Sequence, residues 1–360
     1  MDFTHATQEI ATLLARLIEI PRTSRQEQEA SDFLFHEMTT TYGLDTHRDG
    51  CNLWTIAPDY SPARPTLLLN AHIDTVKPAA SWTYNPYRAT LCEDKLYGLG
   101  SNDDGASLLT LLFAFRHLRH QPRAYNLIYL ASAEEEVSGK NGIEHALPLL
   151  PPIDVALVGE PTGMQPAIAE KGLMVLDVTA HGKAGHAARN EGDNAIYHAI
   201  DDIQWFRTFQ WPQVSPVLGA VKMSVTIVNA GTQHNVVPDT CTFTVDVRSN
   251  ECYTNRQLFD LICQHVKSEV KPRSFRLNSS SIPLSHPLVR RAVQLHRTPF
   301  GSPTLSDQAL MSFPSMKMGP GNSSRSHTAD EYICLSEITE ALRLYTEMLH
   351  CLLLASLSTP

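Results

Sequence analysis

The sequence has no run approaching the roughly 20 apolar residues that a membrane-spanning helix requires. It has no block of Lys and Arg, and its net charge is −9. This combination argues against nucleic acid or an anionic membrane as the main partner. No C-x-x-C pair occurs, and the seven cysteines are scattered from Cys51 to Cys351. An odd, dispersed set suggests neither a disulfide framework nor a thiolate zinc site, and it points to a reducing, cytoplasmic setting. Nor does the start read as a secretory leader. The opening MDFTHATQEIATLLARLIEI is acidic at its front and repeats apolar residues at helical spacing (Ile10, Leu13, Leu14, Leu17, Ile18), which predicts an amphipathic first helix. There are no internal repeats and no low-complexity tract.

What is present is an ordinary globular composition, 42% apolar and 19% charged. At 360 residues, two domains are expected. The first half alternates strand and helix patterns. PTLLLNAHID (Pro65–Asp74), AYNLIYLASA (Ala124–Ala133) and IDVALVGEP (Ile153–Pro161) read as strands; Gly105–His120 and Asn141–Leu150 read as helices. This rhythm predicts a mostly parallel sheet with helices on both faces, whose ligands bind beyond the carboxyl ends of the strands. From about Lys171 the pattern becomes alternating strands with two amphipathic helices, an α+β layer of antiparallel type. After about Ser279 helix-rich α/β character returns, closing with a predicted helix over Leu335–Leu354. The reading is a first domain at 1–168 and 278–360 with a second inserted at 169–277.

The predicted strand ends carry potential metal ligands. NAHIDTV offers His72 and Asp74, an H-x-D pair on one side of an extended chain, where the carboxylate can hold the imidazole. YGLGSNDDGAS places Asp103 and Asp104 between a glycine turn and a helix start. A helix cap accounts for one such Asp but not two. A dinucleotide loop is excluded, because an acid stands where the third glycine is needed. ASAEEEV sets Glu134, Glu135 and Glu136 side by side, VGEPTG brings Glu160, and the Gly/Ser-rich segment Pro314–His327 ends on His327. An acid run is most often a solvated surface, but here it ends a buried strand. Two His and several carboxylates with no Cys fit zinc, cobalt or manganese, and the number of acids suits two metals sharing a bridging carboxylate.

These motifs, in the order NAHIDTV, YGLGSNDDG, ASAEEEVSG, VGEPTG, GKAGHAA, NVVPD, VDVR, LSDQALM and GPGNSSRSHTADEYI, resemble the M20 family of zinc metallopeptidases and amidohydrolases across essentially the whole chain. Within it the likeness is to acetylornithine deacetylase and succinyl-diaminopimelate desuccinylase. The resemblance implies a zinc-peptidase-like α/β domain and an inserted ferredoxin-like α+β domain serving dimerisation and as a lid. It implies two Zn2+ per subunit, with Co2+ or Mn2+ as substitutes. His72, Asp103 and Glu160 would hold one; Asp103, Glu136 and His327 would hold the other, with Asp103 bridging. Glu135 would be the general base, Asp74 the partner of His72, and Glu134 a support. The Asp103–Asp104 peptide would be cis. His186 of GKAGHAA would reach the partner subunit's site and stabilise an oxyanion. Asn235 and Arg248 match positions that bind a substrate carboxylate, and Arg325 could grip a succinyl carboxylate.

The chain departs from the family's frequent forms at Gly98-Leu99-Gly100, at Asp103-Asp104-Gly105-Ala106 and at His186-Ala187-Ala188-Arg189-Asn190. None of these removes a proposed ligand or the base. The implied activity is removal of an N-acyl group from an amino acid, such as acetylornithine or acetylcitrulline in arginine biosynthesis. An N-succinyl-amino-acid desuccinylase and a di- or tripeptidase are the alternatives within the family, and a non-catalytic, metal-binding dimer scaffold is the alternative outside it.

Overall fold

The structure, a computed structural model, describes residues 2–350 and 352–354; Cys351 and the last six residues lie outside them. Among the described residues no helix is long and apolar enough to cross a membrane. The chain forms two compact units, one of Met1–Ile168, Ile282–Phe300 and Ser306–Pro360, the other of Ala169–Ser281 and Gly301–Leu305.

The first unit is organised by four mutually parallel strands. Thr66–His72 lies between Asn126–Ser132 and Val155–Val158, and Ser315–Lys317 pairs with the far side of the latter. Thr66–His72 and Asn126–Ser132 are buried along their full length, as expected of strands covered on both faces. One face carries Leu68, Ile128, Leu130, Ala156 and Val158, packed with Ile143 and Ala146 of a short helix. The other carries Leu67, Leu69, Leu127 and Leu157, also fully buried. The Ala106–Leu118 helix, almost entirely buried, and the Phe3–Ile18 and Leu335–His350 helices bury apolar faces in this unit. Asn52–Ile56 and Thr46–Asp49 extend the sheet antiparallel.

The second unit is a four-stranded antiparallel sheet in the spatial order Lys222–Ala230, Thr240–Arg248, Met174–His181, Glu269–Pro272. The helices Ala195–Thr208 and Asn255–His265 follow the first and third strands in sequence. Numbered along the chain, the strand order is 4-1-3-2, the ferredoxin-like split βαβ arrangement. Its core is closed by Met174, Leu176, Val178, Phe206, Phe243, Val245, Leu258 and Ile262.

Three elements differ from the sequence reading. The last helix stops at His350, and 352–354 are not helical. Asn141–Leu150 holds only the turn Ile143–Ala146 and a 3-10 turn at Leu147–Leu149, because Pro148 cannot continue an α-helix. The amphipathic pattern from Thr254 to Val270 ends as a helix at His265, and Glu269–Pro272 is the fourth strand, with Pro272 at its end.

Candidate active site

Every acid and imidazole predicted to hold metal lies in the first unit, His72, Glu136 and Glu160 where parallel strands end. Thr66–His72 delivers His72 at its last residue, and its neighbour Asn126–Ser132 leads into Glu134–Glu136. Val155–Val158 leads into Glu160. Asp103 comes from a loop whose Asp103–Asp104 peptide is cis, as the resemblance implied.

His72 is fixed by its surroundings. Its Nδ1 lies 2.9 Å from the Asp74 backbone carbonyl and 3.5 Å from Asp74 Oδ1. That arrangement places the proton on Nδ1 and frees Nε2 as a ligand atom. Asp74, fully buried, organises more than the imidazole. Its Oδ1 accepts the Glu135 N–H at 3.0 Å, and its Oδ2 accepts the Glu136 N–H at 3.2 Å and the Ser24 hydroxyl at 2.7 Å. One carboxylate thereby locks the strand end to the acid run. Burial pushes the Asp74 carboxyl up, but His72, Ser24 and the Glu135 N–H outweigh it and hold it below 3.8.

The two oxygens of Asp103 face opposite ways. Oδ1 lies 3.2 Å from His72 Nε2, and Oδ2 lies 3.6 Å from His327 Nε2. His327 Nε2 is also 3.0 Å from Glu136 Oε2, and His72 Nε2 is 4.0 Å from Glu160 Oε1. In a tetrahedral centre with bonds near 2.0–2.1 Å, ligand atoms sit about 3.3 Å apart. The observed spacings cluster around that value. Two triads, His72–Glu135–Glu160 and His72–Asp103–Glu136, each fall within 4.8 Å. Glu136 Oε1 is buried and has no hydrogen-bond partner, as a free ligand oxygen would. Hard oxygen donors and imidazole without thiolate suit zinc, cobalt or manganese. The residues present therefore fit a metal-binding centre, with Asp103 placed between the two imidazoles.

The electrostatics agree. Burial drives the Glu135 carboxyl well above 4.5, and Glu160, Asp307 and Glu136 add to the rise against the pull of His72. His327 is raised to about 9, chiefly by Glu136. So many carboxylates in low-dielectric surroundings favour a cation in their midst. Glu135 stands 3.9 Å from His72 Nε2, as near as Glu160. Distance alone would let either serve that metal.

Several supports escape sequence reading. Glu331, buried, accepts backbone N–H groups of Gly100, Asn102 and Asp103 at 3.0, 2.8 and 2.9 Å and so shapes the loop carrying Asp103. Asp307, buried, accepts the Ser132 hydroxyl at 2.6 Å and is pushed up to about 7, first by burial. Glu134, unlike these, was expected as a support, and it accepts from Asn141 Nδ2 at 2.8 Å.

Arg325, expected as a possible grip for a succinyl carboxylate, already has a partner. Its guanidinium is held by Glu337 in a two-point pair at 2.7 and 3.1 Å and lies over the Tyr332 ring. Here it braces the loop that bears His327. His186, Asn235 and Arg248 belong to the second unit. His186 is exposed, and its Nδ1 accepts the Ala188 N–H at 3.1 Å, leaving an Nε2–H to donate. Its neighbour Ala187 donates N–H to the Asn235 carbonyl at 3.0 Å. Arg248 is half-buried and forks onto Asp246 at 2.8 and 3.0 Å.

Several known proteins are similar to this chain. An acetylornithine deacetylase of Pectobacterium carotovorum is 28% identical over 306 residues, covering 79% of each chain. A probable succinyl-diaminopimelate desuccinylase of Staphylococcus aureus is 26% identical, covering 79% of this chain and 77% of its own. Among solved structures, a Staphylococcus aureus tripeptidase superposes with TM-score 0.74 at 20% identity, covering 96% of this chain and 98% of its own. A dinuclear metal-binding M20 peptidase of Bacillus subtilis gives 0.71 at 16% over the same shares. With residues 68–350 matching the model of peptidase family M20/M25/M40, the chain belongs to that family of metal-dependent hydrolases of amide bonds.

Proposed function

We propose that this chain removes an N-acyl group from an amino acid, with N-acetylornithine or N-acetylcitrulline as substrate and two Zn2+ ions as cofactor. The observation that carries the reading is the placement of one Asp103 oxygen toward each imidazole. An N-succinyl amino acid is the next substrate to test. The relatives' names support the substrate class, and the absence of thiolates supports zinc, cobalt or manganese.

When bound, two cations supply Lewis-acid polarisation of the amide carbonyl and acidify water toward a pKa of about 7. The chain's own groups do the rest. Asp74 keeps the proton of His72 on Nδ1, and keeps Glu135 and Glu136 in register through their backbone N–H groups. Glu135, made more basic by burial, takes a proton from the attacking water as its oxygen bonds to the acyl carbon. As the C–N bond breaks, Glu135 returns that proton to the departing amine nitrogen. His186, exposed and with an Nε2–H left to donate, would serve the site of a second copy of the chain by hydrogen bonding to the oxyanion, a donor of the kind worth roughly 3 kcal/mol.

We infer that the working form is a cytoplasmic homodimer joined through the second unit. Lys222–Ala230 is an edge strand, and it exposes Ile227 and Val228. The Ala195–Thr208 helix exposes Tyr197 and Ile200. Unpaired strand edges and apolar side chains of this kind favour pairing with a second copy.

The test is amine release by zinc-loaded protein from N-acetylornithine, N-acetylcitrulline, their N-succinyl counterparts and a dipeptide. Turnover of one acyl-amino acid supports the reading and names the acyl group. Turnover of the dipeptide alone replaces deacylase with peptidase, and silence on all five with two zincs bound favours a scaffold.

A further inference from the structure

Arg22 is 2% exposed and ranks among the largest fully buried side chains, yet no step above uses it. Its three kinds of donor nitrogen end on backbone carbonyls of three separate segments. Nε donates to Ile73 at 2.8 Å, Nη1 to Leu17 at 2.9 Å and Nη2 to Gly100 at 2.9 Å. Ile73 sits between His72 and Asp74. Gly100 lies just ahead of the loop that carries Asp103. Leu17 is in the last turn of the first helix, where the dipole favours a cation.

The main chain of the same segment completes the grip. Thr75 N–H donates to the Arg22 carbonyl at 2.9 Å, and Ser24 N–H to the Thr75 carbonyl at 3.2 Å. The Ser24 hydroxyl reaches Asp74. Residues 22–24 thus run along the metal-bearing strand end. Glycine at position 100 is required by the same contact: its φ is +71°, and a Cβ there would come within 2.3 Å of Arg22 Nη2.

Three carbonyls could be satisfied by neutral donors, so the charge needs its own reason. An unpaired buried cation costs several kcal/mol. Burial pulls this guanidinium down to about 10, while Glu331, Asp74 and Asp104 act against that pull. Those are the carboxylates that shape the site. Arg22 is therefore a fixed countercharge set behind an acid-rich centre, with a planar fork that reaches three ways.

We propose that Arg22 is a positioning residue that ties the strand end bearing His72 to the loop bearing Asp103, and so sets the spacing at which these two hold a metal. The proposal rests on the two-metal reading of the site. The experiment compares Arg22→Lys and Arg22→Met with the parent by Zn2+ titration against a chromophoric chelator, by thermal melting, and by separate kcat and KM. Lys keeps the charge but cannot fork to three carbonyls; Met keeps bulk and loses both.

Expected is a folded R22K that still takes two ions, with one of them held about 10- to 100-fold more weakly. Its kcat should fall while KM holds, because the buried side chain does not face the substrate, and R22M should lose more on both counts. If R22M does not fold, R22K decides. Parental zinc affinity and kcat in folded R22K, whatever its melting temperature, would overturn the proposal and leave Arg22 a purely stabilising residue. A parent that binds no divalent ion would bring down the metal reading and this proposal together. A parent and R22K that bind two ions equally tightly bring down this proposal alone.

Discussion

Replacing Asp74 with Asn exchanges one buried oxygen for an NH2 group and removes the charge. Asp74 receives the Glu135 and Glu136 N–H groups, the Ser24 hydroxyl and the approach of His72 Nδ1. The least damaging orientation puts the new NH2 toward Ser24, whose hydroxyl can turn to accept. The Glu136 N–H then meets a donor and is left unpaired. An unsatisfied buried backbone donor costs about 1–3 kcal/mol, and bonds to a charged acceptor lose part of their 1.5–3 kcal/mol. The total is on the order of 2–4 kcal/mol, or roughly 5–15 °C in melting temperature for a unit of this size. Loss of the imidazole's partner should also weaken metal binding about 10- to 100-fold. Urea unfolding and a zinc titration measure the two effects separately. The sign of the pH dependence follows from the depressed carboxyl. Its stabilisation is complete above 3.8 and is withdrawn as pH falls through the lower folded value, so the gap between parent and D74N should narrow in acid. A D74N protein that unfolds within about 0.5 kcal/mol of the parent, and binds zinc as tightly, would refute the organising role given to Asp74.

Glu135→Gln should keep its metals and lose at least about 100-fold in kcat; near-parental turnover would make Glu135 a ligand or support instead of the base. Arg325→Met should cost about 1 kcal/mol of stability and weaken metal binding through the His327 loop, with KM for acetyl and succinyl substrates changed alike. A KM rise confined to succinyl substrates would restore Arg325 as a carboxylate grip. Tyr197→Asp combined with Ile200→Asp should shift a dimer to monomer in sedimentation, and an unchanged mass would dismiss that face as the interface. Asp177, whose two-point pair with Arg273 holds its carboxyl below 3.8, should titrate closer to that value by NMR in Arg273→Gln.

The features legible in the sequence were those encoded locally. H-x-D, the acid run and the Gly-x-Gly turn each announce a strand end, because ligand and partner lie within a few residues. The ferredoxin-like unit was visible as alternation and amphipathic period, although Glu269–Pro272 was hidden in a helical pattern that Val270 and Val266 continue. The supports were not legible. Arg22 and Glu331 act on backbone carbonyls and N–H groups of distant segments, and no side-chain spacing records such contacts. The partner of Arg325 was hidden for a related reason: Glu337, which claims its guanidinium, belongs to the next helix. Arg248 was a milder case, since Asp246 lies two residues away on the same face of its strand.

The insertion point of the second unit has its own consequence. Ser280 and Ser281 pair antiparallel with Glu170 and Ala169, so the inserted segment leaves the chain and returns to it on hydrogen-bonded neighbours. For the host sheet this segment behaves as a loop whose ends are already closed. Its length and content can change without stretching the strands that carry the ligands, at an entropic cost that grows only with the logarithm of loop length. Evolution can therefore remodel what the insert presents while leaving the hydrolytic centre in place.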